Sequence, residues 1–382
     1  MQKKLIALAI AGLGFTGAAF AQTNVTLYGV VDASVDITDS GDASGATTSS
    51  SGQRTTKISS NVSRIGFKGT EDLGDGLKAI FQLETAFNAD GTVFANNNSR
   101  NTFVGLEADS WGRVLLGQYD TPYKTSTRSW DLFIDHLADN RNLMGRSRAS
   151  GIAFDGRPAN TVRYDSIDFS GFKFAAAYVA GAEAATVSGS SKGSAWSLSG
   201  LYTINTEWNL IAAYEKHDFG TGGTGSLAAV GPVLKDQSEK AWKLGTSYKS
   251  GPWRANLVYE KVTDDFSAAA AHGDHKAWTL AGGYTVGSNE FKAAYTKADE
   301  YEGTSSTGAK QWALGVDHIM SKRTKLYAEY VKLSNDSGAA FGLGAGAGGN
   351  ATGTTAANLA ATGAPITAGD PSAWQFGIKH SF

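Results

Sequence analysis

Along most of the chain apolar and polar residues alternate with a period of two, the pattern of strands whose two faces meet different surroundings. Sixteen segments carry it, near 24–38, 53–69, 77–87, 99–108, 112–119, 160–169, 171–180, 194–204, 207–217, 239–249, 252–262, 275–286, 289–298, 309–320, 323–333 and 372–382. Seven short turns join neighbours, at Thr70–Gly76, Asp109–Trp111, Ser170-Gly171, Asn205-Thr206, Ser250-Gly251, Gly287-Ser288 and Ser321-Lys322. Between them lie longer Gly/Ser/Thr/Asp-rich segments such as 39–52, 181–193, 218–238 and 334–371. Long and short connections alternate without exception, so the long loops gather on one side and both termini on the other. A soluble β-sandwich has no need of that parity.

The polarity of the two faces is inverted. One face of the later strands reads Trp208-Leu210-Ala212-Tyr214, Trp242-Leu244-Thr246-Tyr248, Trp253-Ala255-Leu257-Tyr259 and Trp278-Leu280-Gly282-Tyr284. Trp and Tyr stand six residues apart, about 20 Å along a strand. Tilt brings this to somewhat less than the ~25 Å apolar band whose edges carry aromatic girdles. The opposite face holds Arg254, Asn256 and Glu260 on one strand, Lys243 and Lys249 on its neighbour. Aromatics outside and charges inside mean lipid outside and water within. Closure follows, because an open sheet edge in lipid leaves backbone groups without partners. The predicted fold is all-β, a 16-stranded antiparallel transmembrane β-barrel.

Composition agrees: 47 Gly, 14 Tyr, 18 Phe and 9 Trp against 3 Met and 6 Pro favour strands over helices. The first residues add a compartment. Lys3 and Lys4 precede an apolar run from Leu5 to Ala18 and the small-x-small site Ala19-Phe20-Ala21. This predicts a signal peptide over 1–21 and a mature start at Gln22. The rest of the chain has no Cys and no apolar run of the ~20 residues that a membrane helix requires. Without Lys3 and Lys4, 32 basic residues face 36 acidic ones, a net of −4 that points to no nucleic acid or other polyanion.

Particular stretches resemble a known family, the trimeric general porins of Gram-negative bacteria, above all their β-proteobacterial branch. The resemblance covers essentially all of 22–382. It is carried by Val25-Thr26-Leu27-Tyr28-Gly29-Val30-Val31-Asp32, Ser63 to Gly74 (SRIGFKGTEDLG), Gly76 to Glu84 (GLKAIFQLE), Gly117 to Tyr123 (GQYDTPY) and Asn160 to Ser166 (NTVRYDS). Phe382 closes a strand with Ile378, Phe376 and Trp374 on its face, and the resemblance implies that it is the barrel-assembly signal. It further implies a homotrimer joined through strands one to five, with the 88–98 loop latching a neighbour. The setting would be outer-membrane lipid and lipopolysaccharide, with both termini periplasmic and small hydrophilic solutes and ions passing through. Two departures stand out: Gln118 replaces an Arg common in relatives, and the Pro-Glu-Phe-Gly motif of enteric porins is missing.

The connection 120–159 after the fifth strand is long enough to be functional, and the resemblance implies that it folds inward to narrow the lumen. Asp131, Asp135 and Asp139 are spaced four apart, so a short helix would put them on one face. Leu132, Phe133 and Leu137 would pack that helix on the wall. The resemblance sets Arg64, Arg100 and Arg163 opposite as a basic wall, suited to the role because guanidinium stays charged. Lys68 and Lys78 are further lumen candidates, or else solvated strand residues near the short turns. Facing charges of opposite sign across a narrow aqueous gap favour polar solutes and discriminate between ions.

Other motifs carry less. Gly189-Ser190-Ser191-Lys192-Gly193 fits G-x-S-x-G but lies in a Ser/Gly loop, not at a strand-to-helix elbow. Gly344 to Gly349 fits G-x-G-x-x-G with no βαβ context. His272-Gly273-Asp274-His275 lacks the remaining metal ligands. No cofactor or metal is expected. The expected function is a passive diffusion pore, weakly anion-selective. An outer-membrane barrel enzyme and a plugged structural or adhesive barrel are the alternatives.

Overall fold

The computed structural model describes residues 24–41, 54–91, 99–147, 153–181, 193–220, 236–266, 273–344 and 369–382. The signal-peptide segment 1–21 lies outside them, as do 92–98 of the latch loop, 345–368, His272 and most of the G-x-S-x-G motif. Strands in chain order are β1 (Asn24–Asp39), β2 (Arg54–Ser60), β3 (Arg64–Gly74), β4 (Leu77–Ala86), β5 (Thr102–Ala108), β6 (Gly112–Gln118), β7 (Thr161–Asp165), β8 (Phe172–Ala180) and β9 (Ser194–Thr203). The series continues with β10 (Trp208–Asp218), β11 (Ser238–Ser250), β12 (Trp253–Asp264), β13 (His275–Val286), β14 (Asn289–Ala298), β15 (Ala309–Ile319), β16 (Thr324–Asn335) and β17 (Ser372–Ser381).

Every neighbouring pair is antiparallel, and β17 returns to β1 from Val30↔Ser381 to Asp39↔Ser372, closing the sheet. Both β2 and β3 pair with β1, through Ala33–Asp39 and Asn24–Val30. They are two halves of one barrel strand, so the 17 segments make a closed 16-stranded barrel. The break falls at Asn61–Ser63, where Val62 takes a positive φ of 53°. Asn61 still donates its backbone N–H to the Asp32 carbonyl at 2.8 Å while its side chain donates to Ser34 at 2.8 Å and to the Tyr327 hydroxyl at 2.9 Å; at Ser63 the hydroxyl takes the place of the backbone, accepting from the Asp32 N–H at 3.0 Å.

The short turns are tight for local reasons. Ser170 and Gly171 have φ of 55° and 94°, the sign that a two-residue primed hairpin requires. At the seam, Phe382 and Gly29 exchange backbone hydrogen bonds at 3.1 Å. The Phe382 ring lies where a Gly29 Cβ would stand, 2.4 Å from that position.

Aromatics on the outer face form two rings across strands. Near the short turns Trp208 meets Tyr248 at 4.7 Å and Trp253 meets Tyr284 at 4.2 Å. Toward the long loops Trp242–Tyr259, Trp278–Tyr295, Trp312–Tyr330 and Tyr330–Trp374 lie 5.5, 5.3, 5.1 and 4.8 Å apart. Leu244, Leu257, Leu280 and Leu314 are exposed on the band between them. No helix among the described residues is long and apolar enough to cross a membrane; the strands do so.

Candidate functional site

After β6 the chain turns inward at Gly117, where a Cβ would sit 2.3 Å from the Thr102 carbonyl oxygen. Thr121 caps helix α1 (Pro122–Arg128), accepting from the Lys124 N–H at 3.2 Å, with proline at the first position, where a missing N–H costs nothing. The expected helix over Asp131–Asp139 does not form; that stretch is a series of turns. Its carboxylates fold the backbone instead. Asp131 accepts from the N–H groups of Phe133 and Asn140 at 2.9 and 3.0 Å. Asp139 caps a single 3₁₀ turn, Asn140–Asn142.

The three aspartates nevertheless converge, on Arg128 rather than on the far wall. The guanidinium lies 2.7 Å from Asp135, 2.6 Å from Asp139 and 3.6 Å from Asp131. Arg141 adds a contact to Asp139 at 3.2 Å. Burial opposes the Asp139 charge, yet Arg128 and Arg141 hold its carboxyl well below the usual range. Burial, with Asp139 as a like-charged neighbour, pushes Asp131 up to about 7.

The loop is anchored to the wall of β10–β17 and β1. Tyr123 donates to Glu260 at 2.6 Å, and the same carboxylate accepts from the Gly145 N–H at 2.7 Å. Lys292 donates to the Leu132 carbonyl at 3.0 Å and pairs with Asp317 and Glu329, both at 2.8 Å. His136 sits between Glu329 at 3.0 Å and Asp32 at 3.3 Å, stacked on Tyr327 with centroids 4.2 Å apart. Leu132, Phe133, Leu137 and Leu143 join Val331 and Leu333 in one buried cluster, as the apolar residues of the loop led us to expect.

What remains open lies between the loop and the wall of β2–β6, a cavity of about 530 Å³. Six cations line it: Arg64, Arg100, Lys124, Arg128, Arg141 and Arg157. Four carboxylates face them: Glu84, Asp90, Asp120 and Asp135. Arg100 pairs with Glu84 at 2.6 Å, while Arg64 bridges the gap, 3.9 Å from Glu84 and 3.8 Å from Asp135. Arg157 lies 2.9 Å from Asp120, close to where Gln118 replaces the expected arginine. Burial lowers Lys124 to about 8, although Asp120 at 2.7 Å works the other way.

Several expectations need correction. Arg163 does not line the cavity: it lies under α1, donating to the Asp120 carbonyl at 2.6 Å and to Thr125 at 3.1 Å, and pairing with Asp165 at 2.7 Å. The start of the loop, at Asp120 and Thr125, holds this side chain, while α1 itself packs on β9 and β10. Asp131 and Asp139 are buried behind the cavity, and of the three only Asp135 reaches it. Lys68 is exposed on the lumen face of β3, 5.4 Å from the Tyr28 ring and outside the cavity lining. Lys78 stands by the short turns, 3.6 Å from Asp109. His275 is turned to the Gly273 carbonyl at 2.7 Å, and the described residues contain no metal-ligand cluster. The sequence reading missed the loop's own cations and the wall acid Glu84. Counting charges over 120–159, where Lys124, Arg128, Arg141 and Arg157 accompany the aspartates, reveals the former.

The Gram-negative porin profile matches residues 6–338. An outer membrane porin protein of Bordetella pertussis is 30% identical over 377 residues, covering 86% of this chain and 93% of its own. Outer membrane porin protein 32 of Delftia acidovorans is 33% identical over 397 residues, covering 100% of both. Among solved structures, the anion-selective porin from Comamonas acidovorans superposes with a TM-score of 0.73 at 25% identity, over 94% of this chain and 100% of that one. An inside-out barrel with an inward loop, matched along its length by outer-membrane porins, leaves one conclusion: the chain belongs to the Gram-negative porin family.

Proposed function

We propose that the aqueous gap between the inward loop and β2–β6 is the constriction of a passive diffusion pore that prefers anions. The chain is an outer-membrane porin and not an enzyme; the proposal concerns which residues set its selectivity. One observation carries it: six cations and four carboxylates reach the lining, with Asp131 and Asp139, which partner Arg128 and Arg141, set back behind it, whereas the mature chain is net negative. Charges within a few ångströms of an ion dominate those on outer loops, which salt screens over about 8–10 Å. Arg64, Arg100 and Asp135 act directly on the ion. Asp131, Asp139 and Arg163 hold the loop in place. The anion-selective Comamonas porin, similar over its whole length, supports the same sign. Reversal potentials across a KCl gradient test it: chloride is expected to be favoured over potassium, and a cation-selective wild type would overturn the assignment.

We also infer a homotrimer in outer-membrane lipid and lipopolysaccharide. The outer face of β1–β6 is mostly aliphatic, with Val25, Leu27, Val35, Ile37, Val104 and Leu116 exposed beside Phe67. Outward-facing Trp residues run from Trp196 round to Trp374, beginning one strand earlier than the Trp208 start of the sequence pattern. A wall lacking the interfacial indoles suits protein better than lipid. Native gels in mild detergent that showed folded monomer alone would count against it. The assembly role of Phe382 is supported by its seat at the seam, and Phe382→Ala is expected to slow barrel assembly in a refolding assay.

A further inference from the structure

One lysine of the inward loop stands apart. Lys124, in the first turn of α1, has a buried stem and an ammonium on the cavity lining. Its side chain is 9% exposed, and its one ion pair among the described residues is with Asp120 at 2.7 Å. That carboxylate is shared. Arg157 lies 2.9 Å from the same oxygen, and Asn101 donates to the other at 3.1 Å. One negative charge therefore serves two cations. Burial is the main cause that holds the Lys124 ammonium down to about 8; Asp120 opposes it, while Arg157 and Arg141 add to it as like-charged neighbours. At pH 7.5 about a quarter of the chains then carry a free amine here, against about 0.1% at a lysine with the ordinary value of 10.5. A desolvated lysine beside other cations is suited to attack carbonyl carbon.

The surroundings select which carbonyl compound reaches it. Arg100 meets Glu84 through Nε at 2.6 Å, and neither of its terminal nitrogens has a partner among the described residues. Arg157 turns Nε to Asn101 at 2.9 Å and one terminal nitrogen to Asp120 at 3.3 Å, which leaves its other terminal nitrogen open. Arg141 divides its donors in the same way, with Nε and one terminal nitrogen on Asp139, both at 3.2 Å. All three line the cavity that Lys124 lines. Guanidinium forks with spare donors match phosphate and carboxylate. An aldehyde that carries such a group is held with its carbonyl carbon beside the amine, and holding raises its effective concentration there. At about 530 Å³ the cavity is in the range that takes a small ring compound.

We propose that Lys124 is a covalent capture site for small anionic aldehydes, which close the pore reversibly by forming a Schiff base in its constriction. The amine nitrogen bonds to the carbonyl carbon, and its two protons leave with the carbonyl oxygen as one water. Water reverses the step, and no redox partner takes part. The site rests on the reading of this cavity as the constriction and adds a reactive group to it. The test exposes the folded full chain in mild detergent to pyridoxal phosphate or to pyridoxal at equal concentration. Borohydride then fixes any imine, and peptide mass spectrometry maps the labelled lysines. Pyridoxal phosphate is expected to label Lys124 at least about tenfold faster than any surface lysine, and at least about tenfold faster than pyridoxal does. The rate should fall about tenfold per unit of pH well below 8. The reduced adduct brings about two negative charges into the gap, so labelled protein in planar bilayers should pass at least about threefold less chloride. Lys124→Arg keeps the positive charge but has no amine to form the imine, and the same treatment should leave its current as it was before. Should that variant fail to fold, Arg100→Gln plus Arg157→Gln keeps the amine and should bring labelling by pyridoxal phosphate down to the pyridoxal level. Label spread evenly over surface lysines, equal labelling by pyridoxal, or closure of the Lys124→Arg pore would each overturn the site. Selective label at Lys124 in a cation-selective pore would support the site and refute the selectivity reading, whereas an anion-selective pore unlabelled at Lys124 overturns the site alone.

Discussion

Replacing Arg64 and Arg100 with Gln removes two charges from the cavity and leaves four cations facing four carboxylates. A cavity of about 530 Å³ has the volume of a sphere of radius about 5 Å, so an ion near its centre lies about that far from each wall charge. In water one unit charge at that distance is worth about 0.8 kcal/mol. At 0.1 M salt, with a Debye length near 10 Å, about 0.5 kcal/mol survives. That raises the local chloride concentration just over twofold and lowers potassium by the same factor, about fivefold in their ratio per charge. Two charges shift the ratio roughly 30-fold, and the double variant should be close to non-selective. Planar-bilayer reversal potentials at a mean salt near 0.1 M read this directly. At 1 M the Debye length falls to about 3 Å and wild type and variant should converge. Arg163→Gln removes the same charge from beneath α1, outside the lining, and should leave the sign of the reversal potential unchanged. A folded double variant with the wild-type potential, or an Arg163→Gln variant as non-selective as the double variant, would refute the placement of the constriction.

Lys124, lowered to about 8 by burial, is protonated below that pH and loses its charge above it. Chloride preference should therefore fall as pH rises through 8, and Lys124→Met should abolish this step in the pH series of reversal potentials. Burial opposes charge on His136, yet Glu329 and Asp32 hold it up to about 9. Its contribution to loop docking is thus complete below the ordinary value of 6.5 and is lost as pH rises through 9. Single-channel noise should grow above pH 9, and His136→Gln should show that noise at neutral pH. A Cβ at Gly315 would meet the Phe133 ring at 2.9 Å. Gly315→Val is expected to lift the loop and raise unitary conductance while the barrel keeps its resistance to denaturation by detergent at room temperature. Intact-mass measurement of outer-membrane protein should place the mature N-terminus at Gln22.

The barrel was legible because lipid and lumen impose opposite polarity on alternate residues, and every strand must obey. Trp253 and Tyr259 stand six residues apart on β12, each against an aromatic of β13, Tyr284 and Trp278. The break at Asn61–Ser63 was not legible. Asn61 and Ser63 keep the alternation, and only their partners on the lumen face of the neighbouring wall, Ser34 and Asp32 on β1 and Tyr327 on β16, show what interrupts the ladder.

The inward loop was read correctly in place and wrongly in form, for a definite reason. Aspartates four apart suit one face of a helix, but they suit equally well a turn wound round a central guanidinium, and spacing cannot separate the two. Thr121-Pro122 is a local capping signal that places the helix at 122, upstream of the acidic run. Once the helix ends at Arg128, that side chain becomes the point on which Asp131, Asp135 and Asp139 close. The acidic run then spends most of its charge inside the loop. Only Asp135, which also touches Arg64, still faces the water. The cavity inherits its positive balance from that internal neutralisation, together with Arg141, Lys124 and Arg157 on the loop's open face. On the proposed assignment, selectivity is therefore a consequence of how the loop folds upon itself, with the wall arginines acting on a gap that the loop already biases.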